Sequence, residues 1–328
     1  MKKFNIYLRS SLLFSTALCC LQSCVKDFVP SEKAAFSLDM AFSQTEFRPV
    51  LGRNYNQNFF NDDQSTRPLN FRILNVRAFD GSEAPELLKP FPVEVWKKPY
   101  TGLETSLEEI NAKREIVNRP LWEIGLHSGS FTMWNVASSD FVRVEPDSCY
   151  LFDVEVSNSG GKRYFKDFKL KPQKEMPASA YFNESENVVG DSTRQPILDQ
   201  QFWLNRTGDG SSITFKFLDS KLKPIKLSKF NGMTAEDWKY LVHGFNPKFA
   251  ADSSSVTYDV VYPMPLVPTL NTRFNEGEKA FSTFKYNRVA FGGARISSTY
   301  KLLYTIYQKG DWEIIVYFPT QAPLFDND

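Results

Sequence analysis

Beyond Cys24 the chain keeps one cysteine, Cys149, so no intramolecular disulfide can staple it and burial of apolar surface has to carry the fold. The other three cysteines, Cys19, Cys20 and Cys24, fall in an N-terminal segment that reads as a lipoprotein signal. Lys2, Lys3 and Arg9 form its positive start, and Leu12 to Leu21 form an apolar run well short of the ~20 residues a membrane-spanning helix needs. Leu21-Gln22-Ser23-Cys24 then has the form of a lipobox, with cleavage after Ser23 and lipidation of Cys24. The expected anchor is therefore lipid on a membrane, in the cell envelope.

Losing residues 1–23 removes three of the 39 Lys and Arg and none of the 38 Asp and Glu, so a net charge of +1 becomes −2. No basic excess points to nucleic acid. Aromatic residues make up 15% of the chain, led by 29 Phe, and aromatics favour the pleated, half-buried surfaces of sheets. About 305 remaining residues are enough for two domains. The expected class is mostly β: two β-sandwich domains, Ig-like or related, each with one short inserted helix.

The punctuation of the chain sets the expected boundaries. Residues 24–36 read as lipidated cysteine and tether, 37–175 as the first sandwich, 176–199 as a Pro-bearing linker and 200–328 as the second, β-rich domain. In the first domain, Leu69–Arg77 and Phe91–Lys97 read as strands, and Leu121–His127 pairs with Ser130–Trp134. Asn158-Ser159-Gly160-Gly161 marks a hairpin between Tyr150–Val156 and Lys162–Lys171. Thr105-Ser106-Leu107-Glu108 reads as a capping box, opening a helix that carries Leu107, Ile110, Arg114 and Val117 on one side and ends at Arg119-Pro120. In the second domain, strands open around Ser212–Leu218, a short helix starts at Thr234, and the remainder alternates in strand fashion through Trp312–Phe318.

Chemistry is sparse. No H-E-x-x-H, G-x-S-x-G, C-x-x-C or glycine-rich phosphate loop is present, and no catalytic residue, cofactor or metal site is expected. His243 reads as a residue of a helix's last turn, where imidazoles meet free carbonyls, and Cys149 as a small buried hydrophobe. Asp62-Asp63 and Glu108-Glu109 are the acid pairs a glycoside hydrolase would need, and loop bonding or helix capping accounts for each more simply. Aromatic phase separates the tryptophans. Trp122, Trp238 and Trp312 share faces with aliphatics, whereas Trp96 alternates with Val93 and Val95, and Trp134 with Phe131 and Met133. Trp96, Trp134 and the nearby Tyr100 are the candidates for a glycan-stacking platform; alternatively they cover an interface with the helix or the second domain.

Three stretches together resemble a known family: Phe47-Arg48-Pro49-Val50-Leu51-Gly52-Arg53 with Asp63 to Ile73, Tyr100-Thr101-Gly102 with Ser106 to Ile110, and Val156 to Gly161. Over most of the mature chain the sequence resembles the Bacteroidota lipoproteins of the domain-of-unknown-function 5007 family. That resemblance implies an accessory outer-membrane lipoprotein of a starch-utilisation-type uptake system, working beside a TonB-dependent transporter and its lipoprotein lid. It carries over no catalytic residue. Acidic residues after the lipidated cysteine mark surface export in this group, and Val25-Lys26-Asp27 matches that pattern in part. The expected function is glycan binding without catalysis, the alternatives being a structural subunit of the transporter complex and a carboxylate-dependent hydrolase.

Overall fold

The computed structural model describes residues 33–146, 149–182, 197–289 and 291–327. Ser23 and Cys24, the expected cleavage and lipidation sites, lie outside the described residues, as do residues 183–196 of the expected linker. The chain is mostly β, with short helices at Pro85–Leu88 (α1), Leu107–Ala112 (α2) and Ala235–Lys239 (α3). Among the described residues no helix is long and apolar enough to cross a membrane.

The first domain is built around the hairpin of Tyr150–Asn158 and Gly161–Leu170, in which Asn158 faces Gly161 across Ser159-Gly160. Asn158 stabilises that turn by accepting the Gly160 N–H at 2.7 Å. Asn70–Ala78 and Glu46–Phe47 complete a four-stranded sheet, and the small sheet of Tyr55–Gln57, Phe131–Met133 and Trp122–Ile124 packs on its inner face. Rings meet across that contact: Phe152 of the larger sheet lies 5.7 Å from both Trp122 and Phe131 of the smaller one, edge-on to each. Such pairs add about 0.5–1.5 kcal/mol each beyond their buried area. The fold takes hold of the chain inside the expected tether. The Ala34 N–H donates to Ser159 Oγ, and Asn158 donates to the Ala35 carbonyl. Gly160 has to be glycine there, because a Cβ would come within 1.9 Å of the Ala34 oxygen.

The second domain is a sandwich. One sheet runs Gln201–Gly208, Asp311–Tyr317, Ser212–Leu218, Ser255–Val260, Gly244–Phe249; the other runs Ala178–Phe182, Arg295–Ile306, Lys279–Val289, Asn275–Glu276. Every second residue of Ser212–Leu218 and Lys279–Val289 points inward, so Phe215, Phe217, Phe284 and Tyr304 meet between the layers. Ala178–Phe182 lies within the segment read as linker, yet it pairs along Arg295–Ile306 as an edge strand.

The helix expected to reach Arg119 stops at Ala112. Ser106, rather than Thr105, is its cap: it accepts the Glu109 N–H at 3.1 Å, while Glu109 reaches back to the Thr105 N–H at 2.8 Å. Arg114–Pro120 is instead a strand paired with Pro90–Trp96. The Ile110, Arg114, Val117 spacing is compatible with a helix, but Ile116 and Val117 are β-branched and cross-strand pairing decides the outcome. The result is a two-stranded arm whose tip carries Tyr100 and α2.

That tip reaches the second domain. Tyr100 and Ile110, with the half-buried Trp96 and Leu107, pack against Phe245, Val261 and Leu266. At the centre lies His243, which is not in a helix's last turn, since α3 ends at Lys239. Its Nε2–H donates to the Glu104 carbonyl at 3.1 Å, which leaves Nδ1 to accept the Tyr100 hydroxyl. The ring also stacks flat on Phe274, 4.6 Å away. Beside it the Glu104 carboxylate takes Lys113 Nζ at 2.5 Å and both the N–H and hydroxyl of Thr101 at 2.9 Å. Burial works against that charge, but these donors outweigh it and hold the carboxyl down at about 2. Gly102, at φ +76°, lets the loop lie on Thr272, whose Cγ2 would be 2.7 Å from a Cβ.

Burial lowers the pKa of His243 from 6.5, and the Glu104 carbonyl and charge only partly offset it. A base with a depressed folded pKa binds fewer protons folded than unfolded, so its contribution is intact above pH 6.5 and falls as pH drops below that value. Urea midpoints at pH 7.5 and 5.5 should therefore show a loss on acidification in the native chain that is smaller in His243→Gln.

Candidate functional site

The three aromatics singled out from sequence do not form an open platform. Tyr100 is buried at 8% exposure, because its hydroxyl and ring are committed to His243. Trp96 is half-buried, 5.4 Å from Tyr100, with the Arg114 guanidinium 5.5 Å from its ring. These two cover the domain interface, the alternative reading. Trp134 is also half-buried, just past the Phe131–Met133 strand, and its backbone N–H donates to the Leu121 carbonyl.

The exposed tryptophan is one that sequence phase did not reach. Trp203 lies on the edge strand Gln201–Gly208 and is 37% exposed. Its neighbours Phe202 and Leu204 pack into the sandwich core, so alternation turns Trp203 to the outer face. The register sets Trp203 opposite Ile315, and Ile315 opposite Lys216 on the next strand. Tyr317, two residues along from Ile315 on the same face, holds its ring 5.2 Å from that of Trp203 with a 33° tilt. Trp203, Ile315 and Tyr317 make an apolar floor, bordered by Gln201, Asn205 and the Lys216–Glu313 ion pair.

Sugar rings have C–H faces that pack on flat aromatics and hydroxyl edges that pair with amides, carboxylates and ammonium groups. The Trp203 face offers both surfaces side by side. Acids on the same sheet face are already bonded: Glu313 to Lys216, Asp311 to Ser212 and the Gly210 N–H, Asp259 to Asn246 and Lys248. They are arranged as fixed acceptors. The acid pairs picked from sequence are similarly engaged. Asp62 binds Arg67, Asp63 takes the Ser37 hydroxyl and Glu109 caps α2. Cys149 is partly exposed rather than buried, since it sits just before the strand that begins at Tyr150.

Nothing in the core depends on Trp203. Trp203→Ala should cost no more than about 1.5 kcal/mol, the scale of an aromatic pair, whereas Phe215→Ala, 1% exposed in the sandwich core, should cost about 3–5 kcal/mol. Urea unfolding of the two variants measures the contrast.

A search of curated proteins finds no match to this chain. The sequence model of one family aligns with residues 60–202 and 197–327, which together take in most of both domains. The chain belongs to the family described as Domain of unknown function (DUF5007).

Proposed function

We propose that the protein is a non-catalytic lipoprotein of the cell envelope that binds glycan on the outer face of its second domain. The observation that carries this reading is the Trp203–Tyr317 pair, an outward aromatic floor of one exposed and one half-buried ring with polar side chains on its border. The Ser23-Cys24 lipobox supports an anchor at the outer membrane. In that setting the protein serves as an accessory to a TonB-dependent transporter and its lipoprotein lid, holding glycan close to the point of uptake.

Calorimetry of the purified protein against a panel of neutral polysaccharides tests the binding. Saturable binding to one glycan class is expected. Trp203→Ala should weaken it by about 2 kcal/mol, the scale of an aromatic hot spot, or roughly thirtyfold. A folded protein that binds none of the panel, or a Trp203→Ala variant that binds normally, would contradict the assignment.

Localisation is tested separately. Burial of acyl chains contributes ~0.8 kcal/mol per CH₂, and stable anchoring takes more than one chain. Cys24→Ala should therefore move the protein from the membrane to the soluble fraction. Retention on the membrane, with palmitate still incorporated, would refute the lipobox.

A further inference from the structure

A groove of about 550 Å³ opens where the tip of the arm meets the second domain, and it differs from the Trp203 face in charge as well as position. Its volume is that of a small-ligand site, roughly 300–1,000 Å³. Leu103 and Glu104 line it from the arm, and Lys239, Tyr240, Phe245 and Arg273 from the second domain. Tyr240 is the organising group. The Arg273 guanidinium carbon lies 3.9 Å from the centre of its ring and Lys239 Nζ lies 5.1 Å from it.

Both cations are exposed, and neither forms an ion pair with a carboxylate among the described residues. Glu104 is the one acid lining the groove; its side chain has no exposure and is held by Lys113. Asp237, on the helix that carries Lys239, is bound by Lys285 at 2.6 Å. Glu236 shares a different, smaller depression with Arg273, about 270 Å³ in volume. The exposed charge inside the groove is thus wholly positive, although the mature chain is slightly acidic as a whole. Stacking on Tyr240 fixes the plane of the guanidinium and leaves its N–H edge available for a forked bond to a carboxylate. Apolar surface lies alongside, with Leu103 77% exposed at the rim and Phe245 on the wall.

We infer that this interdomain groove is a subsite for an acidic sugar, its carboxylate bridging Arg273 and Lys239 and its ring lying against Leu103 and Phe245. The volume fits one or two sugar rings better than an extended acidic peptide, which would overrun it. The inference rests on the reading of the protein as a glycan binder, but it uses none of the residues of the Trp203 face. A sugar held here touches both domains and ties the arm to the sandwich.

Calorimetry of the full-length protein in mild detergent at low ionic strength, with digalacturonic acid and its methyl ester as probes, tests the subsite. The acid should bind at least ten times more tightly than the ester. Arg273→Gln should weaken the acid at least tenfold and Lys239→Gln should weaken it less. Arg273 is exposed, so its replacement does not threaten the fold. Equal affinity for acid and ester, an Arg273→Gln variant that binds as well as the native chain, or no binding of the acid by folded protein would overturn the subsite. Neutral polysaccharide bound through Trp203 reports on the sheet face alone, so either site can fail without the other.

Discussion

A neutral imidazole held between two domains, with a partner at each ring nitrogen, lies at the centre of the contact that joins the arm to the second domain. His243 receives the Tyr100 hydroxyl and donates to the Glu104 carbonyl, and both partners come from the arm of the other domain. An imidazolium in the same place would carry charge into a cluster of Phe245, Val261, Leu266 and Phe274, which burial penalises. The neutral ring meets no such penalty and still satisfies both nitrogens. Next to it the Glu104–Lys113 pair stiffens the loop that presents Tyr100. Removing Lys113 would leave only the Thr101 N–H and hydroxyl to offset the burial of the Glu104 charge. The groove with Arg273 and Tyr240 lies beside this contact, where the arm meets the sandwich.

Each domain owes its own stability to aromatic packing. The first core gathers Phe47, Trp122, Phe131, Phe152 and Phe168 between a four-stranded and a three-stranded sheet; the second gathers Phe215, Phe217, Phe284, Tyr300 and Tyr304. This is how a chain with one cysteine beyond Cys24 makes two stable sandwiches. Among the rings turned outward, Trp203 and Tyr317 lie together on one sheet face, 5.2 Å apart. Nothing in the packing requires them on that face, and a binding role gives a reason for their position.

How much of this was legible in sequence followed the range of the interaction. The Tyr150–Leu170 hairpin and the alternation of Lys279–Val289 are local, and the residues that encode them lie within a few positions of one another. The run from Arg114 to Pro120 was ambiguous for the same reason: its apolar spacing suits a helix, and the strand that claims it begins at Pro90. Tyr100 could not be assigned from its neighbours, since its partner is 143 residues away. Trp203 was hidden by the apolar triplet Phe202-Trp203-Leu204, which shows no alternation until Leu204 and Phe202 are seen to turn inward together. A strand assignment for Gln201–Gly208 would have exposed its phase, but the segment adjoins a stretch that reads as linker.

The contact at His243 is open to a direct energetic test. A double-mutant cycle of Tyr100→Phe and His243→Gln, read by urea unfolding at pH 7.5, isolates the coupling between the two side chains. Groups that share a buried hydrogen bond couple by about 0.5–3 kcal/mol, and a value inside that range is expected here. Strict additivity, within the ~0.3–0.5 kcal/mol shown by independent sites, would mean that His243 and Tyr100 do not hold the domains together.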